Sequence, residues 1–206
     1  MSSRRVFAII PAAGRSKRMG RPKQLLPYGE GTLLDAVVDA VLESPVDALV
    51  LVTNTTVARR YEENPEEDLL IEINADADSA MIDSIRLGLR RLIDEYKPGD
   101  DEGVLILPGD QPEIRAGVIT TCAEAFRLPR HPPGILIAGY GGRRGHPAVF
   151  RFGLLREIEI WPRDRGLNEL ARMHPDEVRE LPITSAPMPI DVNTPEDYER
   201  LPEPNG

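Results

Sequence analysis

Short apolar runs alternate with amphipathic stretches along the first two thirds of the chain. The apolar runs are rich in Val, Ile and Leu and occupy Val6–Ile10, Ala48–Val52, Leu69–Ile73, Val104–Leu107 and Ile135–Ala138. None of them alternates cleanly between polar and apolar residues, which is typical of strands covered on both faces of a parallel sheet. We therefore expect these runs to be the strands of a central sheet.

Between these runs, apolar residues recur at helical spacing. One stripe runs from Leu33 to Leu42 and has Thr32 as a candidate N-cap. The second stripe comprises Ile82, Ile85, Leu89 and Leu92, and the third begins with Ile114, Val118, Ile119 and Cys122. Alternation of strands and helices predicts a three-layer, Rossmann-like α/β fold with a mostly parallel sheet and right-handed connections.

The pattern changes after Gly139. The glycine-rich sequence GYGGRRG precedes a predicted strand at His146–Phe150. The remaining predicted elements are short helices at Gly153–Ile158 and Gly166–Met173, strands at Val178–Leu181 and Pro189–Asp191, and a helix at Thr194–Leu201 with Thr194 as N-cap and Pro195 first. We find no repeat or linker, so one domain is expected over residues 1–206.

The composition narrows the possible partners. A net charge of −9 argues against general affinity for nucleic acids or anionic membranes.

No run approaches the roughly 18 apolar residues of a membrane span, and Pro11 interrupts the first apolar run, which favours a buried strand over a signal peptide. The single cysteine excludes an intramolecular disulfide and fits a cytoplasmic location.

One loop is strongly basic, although the chain as a whole is acidic. Residues 14–23 contain five basic residues and no acidic one, and they include two of the three lysines in the chain. The loop follows a predicted central strand, where open α/β sheets bind ligands, and exposed amides in a glycine-containing turn can hold phosphate oxygens. Its spacing matches neither the P-loop nor GxGxxG. A triphosphate site is predicted, although the composition also allows a solvated basic turn.

Two further segments carry oxygen ligands. Asp110 follows a buried strand in LILPGDQP, and Asp191 and Asn193 follow another predicted strand in IDVNTPED. Such oxygens suit Mg²⁺, which binds through one or two carboxylates together with substrate phosphates. Taken alone, Asp110 could instead cap a helix starting near Glu113, and Asn193 could be a turn residue.

Together, the segments AAGRSKRMGRPKQLL, PGDQP, GHPAVF and DVNTPED, in this order and spacing, resemble the MobA-like NTP transferase superfamily. The resemblance covers nearly the whole chain, including RGLNELARMHPDEV, and favours the molybdenum cofactor cytidylyltransferase branch because the opening motif begins with AAG. It implies the nucleotide-diphospho-sugar transferase type of fold, with a nucleotide-binding half at residues 1–112 and an acceptor-binding half at 113–206.

The resemblance also implies roles for residues. Lys23 and Asp110 are the expected catalytic residues, with Asp110, Asp191 and Asn193 around Mg²⁺. Expected nucleotide-binding residues are Ala12, Ala13, Gly14, Arg15, Ser16, Arg18, Met19, Gly20, Lys23 and Ser84. Expected acceptor-binding residues are Gln111, Gly145, His146 and Pro147. Asp83 stands near the expected base site, where the family usually has a small hydroxyl residue.

The implied reaction is attack of an acceptor phosphate oxygen on the α-phosphorus of an NTP, with release of pyrophosphate. The resemblance favours CTP as the nucleotide and molybdopterin as the phosphorylated acceptor, with a molybdoenzyme or its chaperone as a further candidate partner. Two alternatives stay open at this point. One is a sugar-phosphate or methylerythritol-phosphate nucleotidyltransferase, and the other is a nucleotide-binding regulatory or chaperone module without turnover.

Overall fold

The computed structural model describes residues 4–14, 16, 19–62, 68–76 and 78–203. Within these residues the strands are β1 Val6–Ala12, β2 Pro27–Tyr28, β3 Gly31–Thr32, β4 Leu49–Thr53, β5 Leu69–Ile73, β6 Gly103–Ile106, β7 Ile135–Tyr140, β8 Arg143–Arg151 and β9 Val178–Pro182. The α-helices are α1 Leu33–Leu42, α2 Thr55–Glu62, α3 Met81–Tyr96, α4 Ala116–Arg127, α5 Phe152–Leu155, α6 Asn168–Met173 and α7 Pro195–Glu199. The 3₁₀ turns that lie wholly within the described residues span Lys23–Leu25, Arg156–Ile160 and Pro175–Glu177.

The described part of the chain forms a seven-stranded sheet in the order β5-β4-β1-β6-β8-β7-β9. Strand β8 runs antiparallel to both of its neighbours, β6 and β7, and the other neighbouring pairs are parallel. The sheet is therefore mostly parallel, as the uninterrupted apolar runs predicted. Strand β5 lies at an edge and is only half-buried.

Two apolar layers cover the sheet, one on each face. Ile10 belongs to the layer formed with α1 and α4, whereas Ile9 belongs to the layer formed with α3, α5 and α6. Consecutive residues of a strand point to opposite faces, so a strand buried on both sides needs apolar residues throughout. Both side chains are fully buried, and this arrangement confirms the three-layer α/β fold.

The predicted N-caps of α1 and α7 are confirmed. Thr32 Oγ1 accepts from the amide of Asp35, and the Asp35 carboxylate accepts from the amide of Thr32 at 2.8 Å. Thr194 and Asp197 form the same reciprocal pair at the start of α7. Helix α4 begins only at Ala116, two residues beyond Ile114, so Asp110 does not cap it.

Other elements differ from the sequence expectations. Residues 189–191 form no strand, because their contacts are to the loop after β6 instead, where Ile190 N donates to the Glu113 carboxylate at 2.7 Å. The predicted helix at Gly153–Ile158 divides into α5 and a 3₁₀ turn. Helix α2 was not predicted, since few of its residues are apolar, but Asn54 caps it by accepting from two amides at 3.1 Å.

Among the described residues, no helix is both long and apolar enough to cross a membrane.

Candidate active site

The end of β1 opens onto a cavity at the carboxyl edge of the sheet. Residues 11–14 line this cavity of about 140 Å³, together with Lys23, Gln24, Ser79, Ala80, Met81, Ser84, Pro108, Gly109 and Asp110. A second cavity, of about 370 Å³, shares Ala13 and Gly14 with the first and extends to the ends of β4 and β5. We call the two together the nucleotide cavity, after the ligand that the sequence predicts for it. Three basic residues of the opening loop, Arg15, Lys17 and Arg18, lie outside the described residues.

Gln24 holds the described part of the opening loop in shape. Its side chain is 2% exposed, and Nε2 donates to the carbonyl oxygens of Ala12 at 2.8 Å and Gly14 at 2.7 Å. Ser16, in the left-handed backbone region, donates to Gln24 Oε1 and accepts from the amide of Lys23 at 3.0 Å. These bonds bring Gly14 and Lys23 to the same cavity. The sequence analysis did not identify Gln24, since a polar residue beside a basic loop gives no signal of burial.

Asp110 lies at the same cavity because the chain leaves β6 in close contact with β1. A Cβ atom on Gly109 would come within 2.8 Å of Leu34 and 3.0 Å of Ala12, so the chain can approach this closely only with glycine. Lys23 Nζ donates to Asp110 Oδ2 at 2.5 Å and to Asn193 Oδ1 at 3.3 Å. The structure thus brings together Lys23, Asp110 and Asn193 from three distant parts of the sequence.

Asp191 is held beside this group. Gln111, which is 2% exposed, donates its side-chain amide to Asp191 Oδ1. The amide of Val192 donates to Asp110 O, and the amide of Asn193 donates to Asp197 at the start of α7. Gln111, one of the expected acceptor-binding residues, therefore orients Asp191 through its side-chain amide.

The donor set fits Mg²⁺. Asp110 Oδ1 is buried and has no hydrogen-bond partner among the described residues, so one carboxylate oxygen is left for a further ligand. No group of three or more His, Cys, Asp and Glu side chains able to hold a metal occurs in the described ranges. Two carboxylates and an amide oxygen, completed by phosphate oxygens and water, are the kind of incomplete protein shell that Mg²⁺ accepts.

Three residues expected to bind the nucleotide, Ser84, Met19 and Gly20, lie in three different environments. Ser84 is buried at the cavity and accepts from Asn74 Nδ2 at 3.0 Å. Met19 packs against Leu26, Leu33 and Val192 and is not among the residues that line the nucleotide cavity. Gly20 has a φ of +66°, a backbone conformation that glycine adopts without strain.

A third cavity, of about 360 Å³, lies beside β8, and we call it the acceptor cavity. Its apolar wall comes from Ile106, Ile135, Ile137, Ala148, Phe150, Leu167 and Ala171, and its polar residues are Arg144, His146, Asn168 and Arg172. Gly145 also lines it, and Pro147 follows through a cis peptide bond. Burial lowers the pKa of His146, and the negative charges of Asp191 and Asp110 act in the opposite direction with a smaller effect.

Comparison with known proteins identifies the family of the chain. The sequence profile of the MobA-like NTP transferase domain matches residues 8–178. The chain belongs to this family. It is therefore a nucleotidyltransferase, which argues against a binding module without turnover.

Similar proteins carry related names. Molybdenum cofactor cytidylyltransferase from Escherichia coli is 23% identical over 194 residues, covering 94% of this chain and 93% of that protein. A probable molybdenum cofactor guanylyltransferase from Bacillus mycoides is 26% identical over 56% of this chain and 54% of its own length. The crystal structure of Rv0371c from Mycobacterium tuberculosis superposes with a TM-score of 0.78 at 27% identity, covering 97% of this chain and 98% of that one.

Proposed function

We propose that this nucleotidyltransferase transfers CMP from CTP to the phosphate monoester of molybdopterin, with Mg²⁺, and releases pyrophosphate. The observation that supports it best is the meeting of Lys23, Asp110 and Asn193 at the nucleotide cavity, beside the acceptor cavity. Opposite charges at the carboxyl edge of the sheet suit a triphosphate and a divalent cation together. A cytoplasmic location, and delivery of the product to a molybdoenzyme or its chaperone, belong to the same proposal.

The reaction forms one bond and breaks one. An oxygen of the acceptor phosphate attacks the α-phosphorus, and the bond from that phosphorus to the β-phosphate oxygen breaks, so the electron pair leaves with pyrophosphate. Transfers of this kind need little covalent help, because positioning and charge neutralisation supply most of the acceleration. The main tasks of the protein are therefore to align the two phosphates and to stabilise negative charge.

Each residue has a task in this scheme. Lys23 donates to a non-bridging oxygen of the α-phosphate, where negative charge moves during the reaction. Asp110 and Asp191 would hold Mg²⁺, with Asn193 beside them, and the ion would neutralise charge on the triphosphate. His146 lines the acceptor cavity, and its lowered pKa keeps the ring neutral at neutral pH, so it can donate to or accept from the acceptor.

The choice of CTP rests on two observations. The opening motif begins with AAG, as in the cytidylyltransferase branch, and the Escherichia coli cytidylyltransferase matches 94% of the chain. The guanylyltransferase match is confined to 56% of it. An acceptor of the molybdopterin type is supported by the names of both relatives, and the acceptor cavity supplies an apolar wall with polar groups beside it.

Pyrophosphate release tests the proposal directly. We expect turnover with CTP, Mg²⁺ and molybdopterin that exceeds turnover with GTP, ATP or UTP, and no turnover when Mg²⁺ is chelated. A thermal-shift series with the same nucleotides reports binding separately, since a ligand that binds only the folded state raises its stability. Turnover with methylerythritol phosphate or a sugar phosphate in place of molybdopterin would contradict the acceptor assignment while leaving nucleotidyl transfer intact.

A further inference from the structure

Both carboxylate oxygens of Asp83 already have partners within the protein. Oδ2 accepts from the amide of Ala80 at 3.0 Å and lies 3.2 Å from Arg163 Nε, and Oδ1 accepts from Arg86 at 3.2 Å. The side chain is only 15% exposed. A nucleobase would have to displace these partners to use this carboxylate, so Asp83 is poorly suited to read the base, although it occupies the expected position.

Arg86 extends the contact of Asp83 to another segment. Its guanidinium, 11% exposed, donates from Nε to the carbonyl of Ile158 at 2.8 Å and from the terminal nitrogen Nη2 to the carbonyl of Trp161. We call Asp83, Arg86 and these two carbonyls the Arg86 clamp. The planar fork of arginine can serve one carboxylate and two carbonyls at once, whereas the single ammonium of lysine cannot match that geometry.

The Arg86 clamp joins elements of the two cavities. Ala80 and Met81, at the start of α3, line the nucleotide cavity, as does Ser84. The segment held by the clamp, residues 158–161, leads within a few residues to Leu167 and α6, which line the acceptor cavity. Arg163 adds a second link, because it also donates to Asp76 at 2.8 Å, and Asp76 lines the nucleotide cavity.

We propose that Asp83 and Arg86 are positioning residues that fix the α6 wall of the acceptor cavity relative to the start of α3, and so set the distance between acceptor and nucleotide. Neither side chain touches the reacting atoms in this proposal. A phosphoryl-transfer site is sensitive to such alignment, since a displacement of about 1 Å can cost about a hundredfold in rate. The proposal rests on the assignment of the two cavities made under the proposed function.

Trp161 gives a readout that needs no substrate. It is the only tryptophan in the chain and is 8% exposed, and its carbonyl belongs to the clamp. We expect Arg86→Lys and Asp83→Ser to increase acrylamide quenching of its fluorescence about twofold, because the segment opens locally more often. Arg90→Lys is the matched control, since Arg90 is exposed on the same helix, and it should quench as wild type does.

Arg163→Gln is an additional variant that keeps the test possible if Arg86→Lys and Asp83→Ser do not fold. Arg163 is 61% exposed, so its loss leaves the core intact, and we expect a smaller increase in quenching in the same direction. Unchanged quenching in both Arg163→Gln and a folded Arg86→Lys would overturn the proposal. This measurement does not depend on turnover and therefore remains decisive if molybdopterin proves to be the wrong acceptor.

Kinetics separate positioning from general stability. With CTP and molybdopterin, Arg86→Lys should lower kcat at least about tenfold and raise the KM for molybdopterin, while it changes the KM for CTP less than about twofold. Lysine keeps the positive charge of Arg86, but we do not expect that charge to maintain wild-type kinetics. A single ammonium cannot contact one carboxylate and two carbonyls with the geometry of the arginine fork. Equal changes in both KM values, or wild-type kinetics in Arg86→Lys, would show that the clamp serves only the fold. Absence of turnover in the wild-type protein would instead contradict the proposed function.

Discussion

Lys23 Nζ lies 2.5 Å from Asp110 Oδ2, and the two side chains are 17% and 16% exposed. The residue expected to face the α-phosphate and the residue expected to bind Mg²⁺ therefore neutralise each other in the structure. Because the other oxygen of Asp110 is buried without a partner among the described residues, this ion pair still leaves room for one more cationic or donating group. The ion pair thus joins the residue expected to contact the α-phosphate to the residue expected to bind Mg²⁺.

Replacement of Lys23 should damage the chemical step more than nucleotide binding. We expect Lys23→Ala to lower kcat by about a hundredfold, the scale of losing one aligned electrostatic partner in the transition state. Lys23→Arg should not restore the rate, because a planar fork does not replace a compact ammonium. Steady-state kinetics of pyrophosphate release measure both variants, at a temperature well below unfolding, since Lys23→Ala leaves Asp110 unpaired.

Lys97→Arg is the matched control, because Lys97 is exposed at the C-cap of α3. Its kinetics should equal those of wild type. If Lys23→Ala changed only the KM for the nucleotide, or Lys23→Arg matched wild type, Lys23 would be a binding residue and its assigned role in the reaction would be wrong.

Asp110→Asn should nearly abolish Mg²⁺-dependent turnover while the chain still folds. The residue lies beyond the end of β6 rather than in an apolar layer, and the amide has the size of the carboxylate but lacks its charge. Circular dichroism checks the fold, and turnover across a Mg²⁺ titration checks the function. Full activity at saturating Mg²⁺ would remove Asp110 from the proposed ligands.

The strands and the long helices followed from the sequence because burial on both faces leaves a direct mark on composition. Every residue from Val6 to Ile10 is apolar and fully buried, so the pattern and the structure carry the same information. Helix α2 left no such mark, since Val57, Ala58 and Tyr61 are its only buried residues from 55 to 61, the part whose burial the structure describes. Its one clear signal was Asn54 as an N-cap before apolar residues at helical spacing.

The site was predictable where loops leave strands and unpredictable where side chains meet over long sequence distances. Lys23 and Asp110 were expected at one edge because each follows a strand of a parallel sheet. Contacts such as those of Arg86 with the carbonyls of Ile158 and Trp161 join residues more than 70 positions apart. Neither local pattern nor charge indicates such partners.

Gln24 offers a test of how the opening loop is held. Gln24→Glu should raise the Kd for the nucleotide about tenfold, because a carboxylate cannot donate to the carbonyls of Ala12 and Gly14 and would repel them. It should also lower stability, since it replaces a buried neutral amide with a buried charge. Nucleotide titration calorimetry and urea unfolding measure the two effects. Wild-type affinity in a folded Gln24→Glu protein would show that these bonds do not shape the site.

Asp35 connects the start of α1 to α2 and makes stability depend on pH. Burial acts to raise its pKa, but hydrogen bonds from Arg60, Tyr61 and Thr32 outweigh that effect and leave the pKa below its ordinary value of 3.8. A carboxylate with a lowered folded-state pKa contributes stability that is fully present above the ordinary pKa and is lost as the pH falls through the folded-state value.

Asp35→Asn should therefore lower the free energy of unfolding by about 1 kcal/mol at neutral pH, because the amide keeps the size of the cap but loses the charge that Arg60 contacts at 2.5 Å. The gap between variant and wild type should narrow as the pH falls below the ordinary value, since Asp35 of the unfolded wild-type chain then takes up a proton before Asp35 of the folded chain does. Urea unfolding at about pH 7 and about pH 3 measures the two gaps. Asp94→Asn, at an exposed position of α3, serves as the matched control, and its gap should stay near zero at both pH values. A gap for Asp35→Asn that did not change with pH would mean that shape, not charge, accounts for the contribution of Asp35 to stability.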